Sequence, residues 1–140
     1  MIVEKAGRAL NVLLVEDDLE DADMTLQAVK ESGVPCLVQL VRDGEEAVRA
    51  LIGRGASAGS ALPDLVLLDM QLPKLDGREV LARIRKDEGA KQLPVVVMTA
   101  SRVLRTILEG EQLGVQGYLT KPVTAGQFSE TVDRLRALTR

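Results

Sequence analysis

Five short apolar runs, each followed by a stretch in which apolar residues recur at helical spacing, constrain the fold of this chain more than any other feature. The runs are Leu10 to Val15, Leu37 to Val41, Leu65 to Leu68, Val95 to Met98 and Gly117 to Leu119. Strands alternating with helical patterns read as βα units on one parallel sheet, an α/β fold. The third and fourth runs have no polar interruption, as central strands covered on both faces require. Between the runs, Ala22, Leu26 and Val29 predict a helix stopping before Gly33, and Ala47, Val48 and Leu51 a second ending at Gly53. Val80, Leu81 and Ile84 predict a third after Gly77. Leu104, Ile107, Leu108 and Leu113 predict a fourth closing at Gly114, and Phe128, Val132, Leu135 and Leu138 the last. Gly53 to Ala61, small and polar, reads as a flexible loop on the face opposite the strand ends that carry the chemistry.

At 140 residues the chain fits one domain, residues 1–140, with its core from about residue 10 to 138. Phe128 and Tyr118 are its only aromatics, so the core must be built from Val, Leu, Ile and Ala. A net charge of −3 without a basic tail or stripe argues against nucleic-acid binding through the phosphate backbone. No apolar run reaches membrane-spanning length, and the N-terminus has charges where a signal peptide needs an apolar stretch. Cys36 is alone, so no internal disulfide is possible and a reducing cytoplasm is expected. There is no histidine, which excludes a histidine base, a histidine metal ligand and a phosphohistidine intermediate on this chain.

The ends of the strands hold the candidate site. The first runs into Glu16-Asp17-Asp18, the third into Asp69, the fourth ends at Thr99, and the fifth runs into Thr120-Lys121-Pro122. In an open α/β sheet, ligands gather beyond the carboxyl ends of the strands, so these residues are expected to meet. Each has a plainer reading: Asp69 as a strand-end turn residue, Thr99 as a strand terminator, Lys121 as a solvated charge, and Asp18 as the N-cap of the first helix with Asp21 in its first turn. One cap does not require three consecutive acids. Like charges a few ångströms apart repel by roughly 4 kcal/mol at an effective dielectric near 20, so Glu16, Asp17 and Asp69 together imply a counter-ion. Carboxylates without Cys or His favour a hard ion, Mg²⁺ (or Mn²⁺), with Asp17 and Asp69 binding directly, Glu16 through water and the Met70 carbonyl adding a ligand. Lys121 offers a movable point charge and Thr99 a hydroxyl, both suited to phosphoryl oxygens. Together they make a phosphoryl-transfer set of nucleophile, metal and cation.

Val12-Leu13-Leu14-Val15-Glu16-Asp17-Asp18, Leu65-Val66-Leu67-Leu68-Asp69-Met70-Gln71-Leu72-Pro73-Lys74-Leu75-Asp76-Gly77, Val97-Met98-Thr99-Ala100 and Gly117-Tyr118-Leu119-Thr120-Lys121-Pro122 resemble, in order and spacing, the receiver domain of two-component response regulators. The resemblance implies a flavodoxin-like (βα)5 three-layer sandwich with a parallel sheet of order 2-1-3-4-5. It further implies that Asp69 accepts a phosphoryl group from a phosphohistidine on a partner histidine kinase, with Mg²⁺ on Glu16, Asp17 and Asp69. Lys121 and Thr99 would hold the phosphoryl oxygens, Ala100 leaves space beside them, and the Lys121–Pro122 bond would be cis. Thr99 and Tyr118 would form the switch, read out on the fifth strand, on the helix from Arg102 to Leu113 and on the last helix. Gln71 and Ser101 flank the path of an attacking water and are placed to tune the lifetime of the phosphorylated form.

With Arg140 directly after the last helix, a stand-alone receiver without an output domain is expected, acting by protein-protein contact on a downstream effector or as a phosphorelay intermediate. The opening Leu14 to Ala22, the segment Arg42 to Ala47 and the long loop before the third strand are similar to the subgroup paired with phytochrome-type histidine kinases, which points to a bacteriophytochrome as the kinase. Members of that subgroup tend to form homodimers, which the apolar last helix permits. Two other classes fit less well. A haloacid-dehalogenase-like phosphohydrolase needs a second carboxylate two residues after the nucleophile, where this chain has Gln71. A flavodoxin-like phosphate-binding module needs donors after the first strand, where Glu16, Asp17 and Asp18 would repel the ligand. Beyond Mg²⁺-dependent self-phosphorylation and autodephosphorylation, no enzymatic turnover is expected.

Overall fold

The computed structural model describes residues 9–52 and 62–138. The loop expected over Gly53 to Ala61 lies outside them. Five strands, β1 (Leu10–Val15), β2 (Cys36–Val41), β3 (Leu65–Asp69), β4 (Val95–Thr99) and β5 (Gly117–Thr120), alternate with five helices, α1 (Leu19–Glu31), α2 (Gly44–Leu51), α3 (Gly77–Lys86), α4 (Arg102–Gly110) and α5 (Ala125–Leu138). The strands form one sheet of order β2-β1-β3-β4-β5, and every adjacent pair is parallel. This is the expected flavodoxin-like arrangement. β2, β3, β4 and β5 each differ from expectation by a single residue at one end, where β3 and β4 take in Asp69 and Thr99 themselves.

Side chains alternate across each strand and so build two cores. On one face Val12, Leu14, Leu65, Leu67, Val96 and Met98 pack with Ala22 and Val29 of α1 and with Phe128, Val132 and Leu135 of α5. On the other, Leu13, Val15, Val66, Leu68, Val95 and Val97 pack with Ala47 and Leu51 of α2, with Val80, Leu81 and Ile84 of α3, and with Leu108 of α4. Helices on both faces explain why β3 and β4 are buried along their whole length. β2 alternates half-buried and exposed positions up to the buried Val41 because it is an edge strand.

Every helix begins on a short polar side chain that accepts from the first turn. Asp18 accepts from the N–H groups of Glu20 and Asp21, Asp43 from Glu46, Asp76 from Glu79, Ser101 from Leu104 and Thr124 from Gln127. Such caps are worth about 1 kcal/mol each. α1 ends on Ser32, and Gly33 follows at φ 79°, a turn that favours glycine.

Two expectations need correction. α4 stops at Gly110 and not at the expected closure by Gly114, because the chain turns down through residues 111–116 to enter β5, with Leu113 packing on the core from that turn. Ile107 is 51% exposed, since a helix that lays Leu104 and Leu108 on the sheet carries Ile107 about 100° round from Leu108. The α1 stripe is as expected, with Ala22 and Val29 buried and Leu26, partly covered, packed against the core, and Thr25 and Ala28 extend the buried face. Among the described residues no helix is long and apolar enough to cross a membrane.

Candidate phosphoryl-transfer site

The topology brings the predicted residues together. Val15 of β1 is in register with Leu68 of β3, so the next residues, Glu16 and Asp69, leave adjacent strands side by side. β4 lies on the far side of β3, and β5 beyond it, which carries Thr99 and Lys121 to the same edge. The order reverses direction between β1 and β3, the switch point at which an open α/β sheet leaves its crevice.

Glu16 is fully buried and Asp69 nearly so. Both are tied to a single cation: Lys121 Nζ donates to Glu16 Oε1 at 2.8 Å, to Asp21 Oδ2 at 2.9 Å and to Asp69 Oδ2 at 3.1 Å. The other oxygen of Asp69 accepts from the Gln71 N–H at 2.9 Å, and the other oxygen of Glu16 from the Asp18 N–H at 3.2 Å. Burial and the neighbouring Asp69 push Glu16 up to about 7, with Lys121 pulling the other way. Burial also works against the Lys121 ammonium, but its bonds to Glu16 and Asp21 and the charge of Asp69 outweigh that cost, so its pKa stands above the ordinary lysine value.

Carboxylate oxygens of Glu16, Asp17 and Asp69 lie within 4.8 Å of one another. Asp17 is more exposed than the other two, and its main-chain carbonyl is held by Arg42 Nη2 at 3.3 Å. An all-oxygen donor set of this size, two members buried and one reaching solvent, fits a hard divalent cation. The Met70 carbonyl accepts from the Gly77 N–H at 3.3 Å and keeps a second lone pair.

Thr99 is buried, and its hydroxyl oxygen accepts from the Ser101 N–H at 3.2 Å. The Thr99 carbonyl accepts from the Lys121 N–H at 2.8 Å, which fixes the two strand ends to each other. Ala100 and the side chain of Gln71 are exposed. Ser101, also exposed, is engaged as the cap of α4. Tyr118 is half-buried, and its hydroxyl donates to the Leu108 carbonyl of α4 at 3.4 Å, away from the carboxylates. The Lys121–Pro122 bond is cis.

Two residues at the site escaped the reading of the sequence. Asp21, expected only as a first-turn acid, is the third acceptor of Lys121. Its place one turn into α1, on the strand-end side, is the signal that would have found it. Arg105 Nη1 donates to Thr120 Oγ1 at 3.0 Å beside Lys121, a contact with no pattern in the sequence to announce it.

An aspartyl oxygen at a strand end, a clustered donor set for a hard cation and a lysine between them make a site suited to taking up a phosphoryl group. Residues 12–133 match the family model described as the response regulator receiver domain. The chain is 40% identical over 110 residues to the response regulator Rcp1 of Synechocystis sp., covering 79% of this chain and 75% of that protein. A solved Mn(2+)-bound form of Rcp1 superposes with a TM-score of 0.68 at 34% identity, covering 93% of this chain and 94% of that one. The bacteriophytochrome response regulator RtBRR superposes with a TM-score of 0.81 at 35% identity, covering 91% and 78%. The phosphorylated cyanobacterial phytochrome response regulator RcpA does so at 0.72 and 39%, covering 94% of each chain. By the match of its sequence to the family model and to its relatives, and by the agreement of its fold, the chain belongs to the response regulator receiver family.

Proposed function

We propose that Asp69 is the phosphoacceptor of a two-component pathway. The observation that carries this reading is the meeting of Asp69 and Glu16 on Lys121 at the end of β1 and β3. An Asp69 oxygen attacks the phosphorus of a phosphohistidine on the partner kinase, the P–N bond breaks with its electron pair going to the ring nitrogen, and the imidazole leaves neutral, keeping the proton already on its other nitrogen. The product is an acyl phosphate on Asp69. Glu16, Asp17, Asp69 and the Met70 carbonyl hold Mg²⁺ or Mn²⁺, which when bound offsets the charge of the phosphoryl oxygens. The Mn(2+)-bound form of Rcp1 supports that assignment.

Lys121 donates to one phosphoryl oxygen and the Thr99 hydroxyl to another. Thr99 turning toward the phosphoryl group draws Tyr118 from the Leu108 carbonyl, and the surface of α4, β5 and α5 changes. Water returns the acyl phosphate to the carboxylate, with Gln71 and Ser101 at the entrance setting the rate. The partner kinase is a phytochrome, a reading supported by RtBRR and RcpA, both named for phytochromes. The output is contact with a separate protein.

Intact-mass spectrometry after incubation with acetyl phosphate and Mg²⁺ tests the reading. The wild type is expected to gain one phosphoryl group and Asp69→Asn none. A gain that persists in Asp69→Asn, or none in the wild type, would overturn it.

A further inference from the structure

We propose that Asp21 is a positioning residue for phosphoryl transfer, acting through Lys121; the inference rests on the reading of Asp69 as the acceptor. An ammonium group has three N–H donors and no acceptor, and here all three donors are taken by carboxylates, at 2.8, 2.9 and 3.1 Å. Two of those carboxylates, Glu16 and Asp69, belong to the donor cluster for a cation, and Asp69 is itself the group to be modified. Asp21 lies outside that cluster. Its bond is the one that remains available to Lys121 while Glu16 and Asp69 turn to the metal and the phosphoryl group.

Lysine needs such a hold. Its four-carbon stem has many rotamers, and a point charge on a flexible chain is poorly placed unless something fixes it. Asp21 is fixed from behind, because its own N–H donates to the N-cap Asp18 at 3.1 Å and its backbone belongs to the first turn of α1. A chain of hydrogen bonds therefore runs from Asp18 through Asp21 and Lys121 to Asp69. Glu20 stands beside Asp21 in the same turn, is equally suited to the helix N-terminus, and is exposed. It separates positioning of Lys121 from mere favourable charge at the start of α1.

Three variants, Asp21→Ala, Asp21→Asn and Glu20→Ala, are compared with the wild type in saturating Mg²⁺. Asp21→Ala is expected to lower the maximal rate of phosphorylation by acetyl phosphate about tenfold, with the half-saturating donor concentration unchanged. Asp21→Asn, which keeps an acceptor oxygen, should recover most of that rate, and Glu20→Ala should match the wild type. Without any phosphodonor, the Lys121 ammonium should give a slowly exchanging ¹H–¹⁵N NMR signal in the wild type and Asp21→Asn, and lose it in Asp21→Ala. Unchanged rate and signal in Asp21→Ala, or equal slowing in Glu20→Ala, would overturn the proposal alone. A wild type that takes up no phosphoryl group would overturn the assignment of Asp69, whatever the NMR signal shows of Asp21.

Discussion

Lys121 directly follows the short strand β5 and there meets, besides Asp21, two buried carboxylates, Glu16 and Asp69, that only a cation could make tolerable together. Its side chain is 9% exposed, against 0% for Glu16 and 5% for Asp69. At such burial, removing one partner of a charge cluster costs more than the pair contributes, because the remaining charges lose both water and counter-ion. Asp43 is the contrasting case, a buried carboxylate whose lysine partner, Lys74, is exposed. It caps α2 and lies 3.3 Å from Lys74 Nζ, and the Glu46 N–H with the help of Lys74 holds its carboxyl below the ordinary range. A lowered native pKa stabilises the fold above the ordinary carboxylate value, and that stability is lost as pH falls through the lowered one. The advantage of the wild type over Asp43→Ala in urea unfolding should be full at neutral pH and shrink below about pH 4. An advantage independent of pH across that range would contradict the ion and cap assignment.

At the scale of elements, the β3–α3 connection decides where Asp69 points. Gly77 opens α3 against the backbone of Met70: a Cβ there would stand 2.6 Å from Met70 Cα and 2.9 Å from the Asp69 carbonyl oxygen. Neither is the end of a flexible side chain, so the helix or the strand end must shift. Gly77→Ala is expected to lose about 1–3 kcal/mol in denaturant unfolding, as overpacking does, and to slow phosphorylation at Asp69. Unchanged stability would show that α3 can slide without cost. Arg85 of α3 has a purely structural reach. It donates to the carbonyls of Lys91, Leu93 and Gly114 and to the side chain of Gln116, tying the entrances of β4 and β5 to one helix. The helical pattern in the sequence marks α3 but says nothing of this, because an arginine in a last turn reads as a solvated charge.

For the molecule as a whole, the acids gathered by the sheet give a divalent cation a place at which binding would add stability. A ligand that binds only the native state adds RT ln(1 + [L]/Kd), about 1.4 kcal/mol at tenfold excess over Kd. For a domain of this size that is a rise of about 4 °C in Tm. Mg²⁺ should produce such a rise, a chelator should reverse it, and Asp17→Asn should reduce it. A monovalent salt of equal ionic strength raising Tm as much would remove the case for a bound ion.

The five βα units, their order along the chain and the candidates Glu16, Asp17, Asp69, Thr99 and Lys121 were legible because they rest on local signals: apolar runs, helical spacing, and polar residues placed where a run stops. Caps such as Asp18 were legible for the same reason. The end of α4 and the outward face of Ile107 were not, since both depend on how α4 meets the sheet and how the chain descends to β5. Asp21 looked like any first-turn acid until α1 was placed against the end of β5, 100 residues away from it in the chain. Periodicity along a chain determines which residues a segment can bury and where it must stop. Which charges then share one ammonium is decided by the strand order and the crossovers, because those distances exist only once the sheet has closed.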